Sequence, residues 1–138
     1  MGTTASASAT RTGKYTHSVS VRDHSLVVDE PLTDGGNDRG PTPQELLAAS
    51  LATCTAITMG MYAQRKGWDI GDTTVDCSYS PAERGAPTRF KMTTSFPSEL
   101  PDEMVERLSV IAAKCPVHRT LEGEVMFEER VERHASGS

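Results

Sequence analysis

The sequence predicts an α+β domain in which helices lie on one face of an antiparallel sheet. Three observations lead there. A long apolar stretch with helix signals at both ends occupies residues 42–67. Two pairs of short alternating segments flank it, and a second, amphipathic helical pattern follows the second pair. The chain has 138 residues, which suits one domain; residues 1–12 and 133–138 are expected to be flexible tails around a domain spanning 13–132.

Residues Met1 to Thr12 are rich in Ala, Ser and Thr and have no pattern to bury, so disorder is expected there. Tyr15, His17, Val19 and Val21 alternate along a first strand. Leu26 to Asp29 forms a second, and Arg22-Asp23-His24-Ser25 makes the hairpin loop between them. Glu30 to Pro41, with its prolines and glycines, is a long loop leading to the central helix.

Thr42 is placed to cap that helix, Pro43 suits its first position, and Glu45 completes a capping box. Gly67, after Gln64-Arg65-Lys66, is the stop signal, with cations where the helix dipole favours them. The helix is expected to run roughly 36 Å. From Leu46 to Ala63 it carries no charge, and apolar or small residues go almost all the way round. Such a helix is buried on every side. Ser50, Thr53, Thr55 and Thr58 make it too polar for a membrane span. A domain this small encloses such a rod poorly, so a partner chain is expected, most simply a two-fold homodimer.

Beyond the helix, Thr73 to Ser80 places Val75, Cys77 and Tyr79 on one strand face. Pro81 to Pro87 turns, and Arg89 to Phe96 aligns Phe90, Met92, Thr94 and Phe96. Pro101 to Lys114 is a second helix with Met104, Leu108, Ile111 and Ala112 in its stripe. Cys115-Pro116 ends it, because a residue before proline is pushed out of the helical region. One more helical turn is expected to Leu121, and Val125, Phe127 and Val131 share one side of a final strand.

Composition removes several function classes. Fourteen basic residues stand against nineteen acidic ones, with no basic block, and only three Tyr, three Phe and one Trp are present. A nucleic-acid binder would need a basic patch, and stacking platforms would need more aromatics. No charged start precedes an apolar run at the N-terminus, so no signal peptide is expected. Three cysteines in this setting point to a reducing cytoplasm, with thiols buried or reactive rather than paired in a disulfide scaffold.

The chemistry therefore centres on thiols. Cys54 lies mid-helix, Cys77 reads as a small core hydrophobe, and Cys115 precedes a proline. If Pro116 opens a helical turn, Cys115 is its N-cap, and its sulfur faces free N–H groups that favour thiolate. Cys54 and Cys115 on two packed helices would suit a nucleophile and a resolving thiol. Cys115-x-x-His118 also has zinc-ligand spacing, but a second ligand pair is missing and no metal is expected. No glycine-rich phosphate loop or serine nucleophile elbow is present.

Two segments carry a resemblance: Gly40-Pro-Thr-Pro-Gln-Glu-Leu-Leu-Ala-Ala-Ser-Leu-Ala-Thr-Cys54 and Lys114-Cys-Pro-Val-His-Arg-Thr-Leu121. They resemble the paired cysteine motifs of the OsmC/Ohr family, named for osmotically inducible protein C and organic hydroperoxide resistance protein. The stretch Asp29 to Pro43 resembles the OsmC-like branch. The resemblance implies an intertwined homodimer with sites at the subunit interface and no bound cofactor. It implies a thiol peroxidase acting on organic hydroperoxides and less readily on hydrogen peroxide. Cys54 matches the peroxidatic cysteine and Cys115 the resolving one; the implied reductant is an external dithiol, a lipoyl group in the Ohr branch. Active members pair the thiolate with an arginine held by a glutamate ten residues before the cysteine. Here that place is Gln44, with Glu45 one step later. Arg22 in the first hairpin loop matches the Ohr-like arginine, and Arg39 is the nearest arginine in the loop before the helix. Glu45 lies about 13.5 Å along the axis from Cys54 and Gln44 about 15 Å, so either would reach a Cys54 only from a partner chain. The rival reading is the same fold acting as a binding module for a small apolar ligand.

Overall fold

The computed structural model describes residues 4–136; residues 1–3 and 137–138, within the expected tails, lie outside the described residues. Three strands come first: β1 (Ser8–Arg11), β2 (His17–Val21) and β3 (His24–Val28), forming an antiparallel sheet in that order. The central helix α1 (Pro43–Lys66) follows, then the hairpin β4 (Thr74–Ser80) and β5 (Arg89–Ser95). Helices α2 (Asp102–Ala112) and α3 (Pro116–Glu122) complete the regular structure. The α+β class is as the sequence predicts, with two separate sheets among the described residues.

The central helix owes its ends to the residues that mark them. Thr42 Oγ1 accepts from the Glu45 N–H at 3.1 Å, and Glu45 Oε1 accepts from the Thr42 N–H at 2.8 Å. At the far end Gly67 sits at φ 71°, in the left-handed region where glycine has no Cβ penalty, and the Trp68 N–H closes onto the Ala63 carbonyl at 2.8 Å. One stripe of α1 is buried: Leu51, Thr55, Met59 and Ala63, four residues apart. Met59 and Ala63 meet Leu108 of α2, with Tyr62, Trp68, Ile70, Val75, Phe96 and Met104 packed around them. This is the core.

Burial on every side of α1 is not what one chain provides. Ile57 and Met61 remain 51 % and 59 % exposed. The sheets and helices of a single chain cover one face of a rod that is apolar nearly all round. By length and composition α1 is apolar enough to cross a bilayer, yet its stripe packs against β4 and α2 as a core helix does.

Two other segments depart from expectation. Ser8–Arg11, inside the expected disordered tail, pairs with β2 from Ser8↔Ser20 to Arg11↔His17. All four residues are exposed. Backbone hydrogen bonding to an open sheet edge holds them, which needs no apolar pattern. The expected strand through Val125, Phe127 and Val131 is absent: residues 124–134 have no regular structure, and these three side chains are exposed. A strand exists by pairing, and within one chain this segment has no strand beside it.

The loop from β3 to α1 is fixed by Asp29, which is 1 % exposed. Its carboxylate accepts from Thr16 Oγ1 at 2.7 Å, the Glu30 N–H at 2.7 Å and the Arg39 N–H at 3.2 Å. The hydroxyl of Thr16 and these backbone donors outweigh burial and hold the carboxyl below its ordinary value. Gly36 and Gly40 lie so close to the Glu30 and Val27 carbonyls that a Cβ would collide with backbone. The loop thus delivers Thr42 to the start of α1 in one conformation.

Candidate active site

Cys54 lies one residue before the buried Thr55 on α1, half-buried itself. Cys115 is the N-cap of α3 and is fully buried. The proline after it starts α3 while excluding Cys115 from the helix, with φ −61° and ψ 132°. Since α3 packs against α1, the two thiols are close enough to perturb one another's ionisation. Neither is in a disulfide, nor is Cys77.

The electrostatics of the two sulfurs differ. Burial pushes the Cys54 thiol up, and its hydrogen bond to Cys115 pushes the same way; the Val117 N–H and Thr58 counter only in part. Burial would push Cys115 up as well. Instead the Cys54 thiol, the His118 N–H, the Thr55 hydroxyl and the Val117 N–H together hold Cys115 below its ordinary value. Cys77, half-buried on β4, is pushed up by burial alone.

The remaining candidate residues stand apart from this pair. Arg22 lies in the two-residue turn between β2 and β3, at φ 54°, and is exposed. Arg39 is exposed, and its backbone N–H serves Asp29. Gln44 and Glu45 occupy the exposed first turn of α1, where Glu45 is engaged in the cap. No cation is among the groups that shift Cys54 within its own chain.

Two residues near the thiols in sequence entered the sequence reading in other roles, Thr55 as a polar break in the helix and His118 as a zinc-ligand candidate. Thr55, 4 % exposed, is the hydroxyl inside the buried stripe of α1; a polar residue four from Leu51 and four from Met59 was the available signal. His118 Nδ1 lies 2.9 Å from Glu122 Oε1 on α3. A cavity of about 420 Å³ opens between α1, the β4–β5 hairpin and α3, walled by Leu47, Leu51, Tyr79, Phe90, His118 and Glu122 among others; neither thiol lines it. Among the described residues, no three His, Cys, Asp or Glu side chains converge as a metal site would need.

A family model described as OsmC-like protein matches residues 35–130, a span holding both thiols, α1 and all that follows it to the end of α3. The chain belongs to the OsmC-like family. Solved structures agree on the fold. An osmotic stress induced and detoxification response protein from Psychrobacter arcticus is 25 % identical, with a TM-score of 0.73 over 87 % of this chain and 89 % of that one. The OsmC-like protein from Mycoplasma pneumoniae is 18 % identical, with a TM-score of 0.74 over 89 % and 90 %. An organic hydroperoxide resistance protein from Elizabethkingia anophelis is 24 % identical, with a TM-score of 0.66 over 89 % and 92 %. A comparison with curated proteins gives no match.

Proposed function

We propose that this OsmC-like protein is a cytoplasmic, cysteine-based thiol peroxidase that reduces organic hydroperoxides, and hydrogen peroxide more weakly, in defence against oxidative stress. One observation carries the reading: a half-buried thiol on α1 and a buried thiol at the N-cap of α3, the helix packed against α1, are close enough to perturb one another's ionisation. The names of similar proteins, which concern hydroperoxide resistance and detoxification, support it. Cys54 attacks the O–O bond, an alcohol leaves, and a sulfenic acid remains on sulfur. Cys115 then condenses with it to a disulfide and water, and an external dithiol, of which a lipoyl group is one chemical type, reduces that disulfide by exchange. The protein itself needs no metal or prosthetic group for these steps.

The working unit is a homodimer. The exposed Ile57 and Met61 on α1 support this, as do the exposed Val125, Phe127 and Val131, which a second copy would cover. In such a dimer Gln44 and Glu45 from the partner's helix end would approach Cys54, with Arg22 or Arg39 supplying the positive charge. The cavity bordered by Leu51 of α1 and His118 of α3 would suit the apolar part of a bulky hydroperoxide.

A second reading has its own support. Glu45 is already engaged in the cap, and the cavity is lined mainly by apolar side chains. An OsmC-fold binding module for a small apolar ligand would look the same. Mixing reduced protein with cumene hydroperoxide and a dithiol separates the two. Turnover that disappears in Cys54→Ser is expected; absence of turnover with several dithiols, lipoamide included, would favour the binding module.

A further inference from the structure

We propose a second binding site, for a small carboxylate monoanion with an apolar body, at the cation pair that Lys66 and Arg107 form over the Tyr62 ring. It lies apart from the thiols: Tyr62 follows Cys54 by eight residues, about 12 Å along α1. The proposal does not rest on the peroxidase reading.

The ring is a fixed floor for the site. One side of Tyr62 belongs to the core of Met59, Ala63 and Leu108, and Trp68 meets it edge to face with centroids 5.7 Å apart. Two positive groups converge on the same ring. The Lys66 ammonium and the Arg107 guanidinium of α2 each lie 5.6 Å from its centroid. Arg107 Nε donates to the Tyr62 hydroxyl oxygen at 2.9 Å. Like charges held this way repel, and the negative face of the ring offsets only part of that. Glu103, four residues before Arg107, has the spacing for a helical ion pair, yet neither cation forms one among the described residues. Arg107 turns to the phenol instead. That contact occupies Nε and leaves the two terminal nitrogens of its fork for a planar carboxylate. The phenol accepts from Arg107, so its own proton is a further donor. The hydrogen bond from Arg107, with the charges of Arg107 and Lys66 added to it, outweighs burial and holds this phenol below its ordinary value.

A cavity of about 410 Å³ adjoins these groups, bordered by Trp68, Met104 and Glu103 as well as by Tyr62, Lys66 and Arg107. Sites for small molecules have this size. Trp68 and Met104 give the ligand's body an apolar wall. The first turn of α2 borders the cavity through Glu103 and Met104 and has no side-chain cap, and that end of a helix favours negative charge. The last carbonyls of α1 oppose an anion little, because the Gly67 and Trp68 N–H groups close onto Gln64 and Ala63. Two cations against the one carboxylate of Glu103 leave a single positive charge. A carboxylate monoanion matches it better than a phosphate dianion does.

Trp68 is the only tryptophan in the chain, so its fluorescence reports the site directly. Full-length protein is titrated with benzoate at neutral pH and constant ionic strength, beside acetate, benzyl alcohol and inorganic phosphate. Benzoate should change the Trp68 emission saturably with a Kd below about 1 mM. Acetate, benzyl alcohol and phosphate should each bind about tenfold more weakly or worse. Arg107→Gln should weaken benzoate by about tenfold, and Tyr62→Phe, which keeps the ring, by about fivefold. Glu103→Gln should tighten it by about threefold. Cys54→Ser should bind as wild type does, and thermal unfolding checks that each variant is folded. No saturable response to benzoate, or a Kd that Arg107→Gln leaves unchanged, overturns the proposal. Phosphate binding as tightly as benzoate overturns the assignment to a carboxylate. Failure of the peroxidase reading would leave every one of these titrations as predicted.

Discussion

The two halves of α1 are built from similar residues and do different work. The C-terminal half sets Met59 and Ala63 against Leu108, with Tyr62 and Trp68 meeting edge to face at 5.7 Å. That is conventional core, and its value is stability. The N-terminal half spends the same buried stripe on Leu51 and Thr55, and beside Thr55 it presents Cys54 to Cys115 of α3. There the stripe borders a cavity through Leu51, and a hydroxyl occupies a place an aliphatic side chain could fill. The difference teaches that an apolar helix need not be uniform in role. Position along its axis decides whether a residue stabilises the fold or tunes a thiol.

Mutations should separate the halves. The largest effect is expected for Cys54→Ser, which should reduce peroxidase turnover to background while leaving the melting temperature close to wild type. Cys77→Ser, as a control thiol pushed up by burial alone, should leave turnover unchanged. Steady-state assay beside thermal unfolding checks both. Leu108→Ala should do the reverse, costing about 2–5 kcal/mol of stability by the cavity it leaves, with thiol chemistry retained in the molecules that stay folded. If Leu108→Ala abolished Cys54 oxidation at full folding, the division between the halves would be wrong.

A smaller effect is expected at the entrance to the thiol-bearing half. Thr42→Ala removes the acceptor for the Glu45 N–H and should cost about 1 kcal/mol, read as a shift in denaturant midpoint. If Glu45 serves a partner's Cys54 as well, activity should fall beyond what that loss explains. The smallest effect is confined to acid. The Asp29 carboxyl is held below its ordinary value of 3.8, so the folded state binds its proton more weakly than the unfolded state does. Its contribution is complete above that value and is lost as pH falls through the lower folded one. Asp29→Asn should therefore flatten the acid limb of a stability–pH curve below about pH 4. A limb as steep as wild type would mean that other carboxylates control it.

What could be read from sequence followed how local each signal was. Thr42, Pro43, Glu45 and Gly67 mark α1 because caps act within one turn, and the alternation in β4 and β5 is a two-residue period. Ser8–Arg11 could not be read, since its only partner is the backbone of β2. The exposed segment through Val131 shows the converse: alternation states that a strand could form, never that a neighbouring edge exists. The apolar circumference of α1 was legible, but composition alone does not say which side its own chain covers and which it leaves exposed. At the site, the two cysteines were visible through their contexts, a mid-helix position and a proline boundary. Their opposite pKa shifts were not, because these depend on how α3 packs on α1 around the two sulfurs.

The central claim is that Cys54 and Cys115 form one redox unit. Reduced protein treated with one equivalent of cumene hydroperoxide, blocked with an alkylating agent, digested without reduction and mapped by mass spectrometry tests it most directly. The account predicts a single intramolecular disulfide joining the Cys54 and Cys115 peptides, with Cys77 alkylated. Recovery of all three cysteines as alkylated thiols, or a disulfide that includes Cys77, would contradict it.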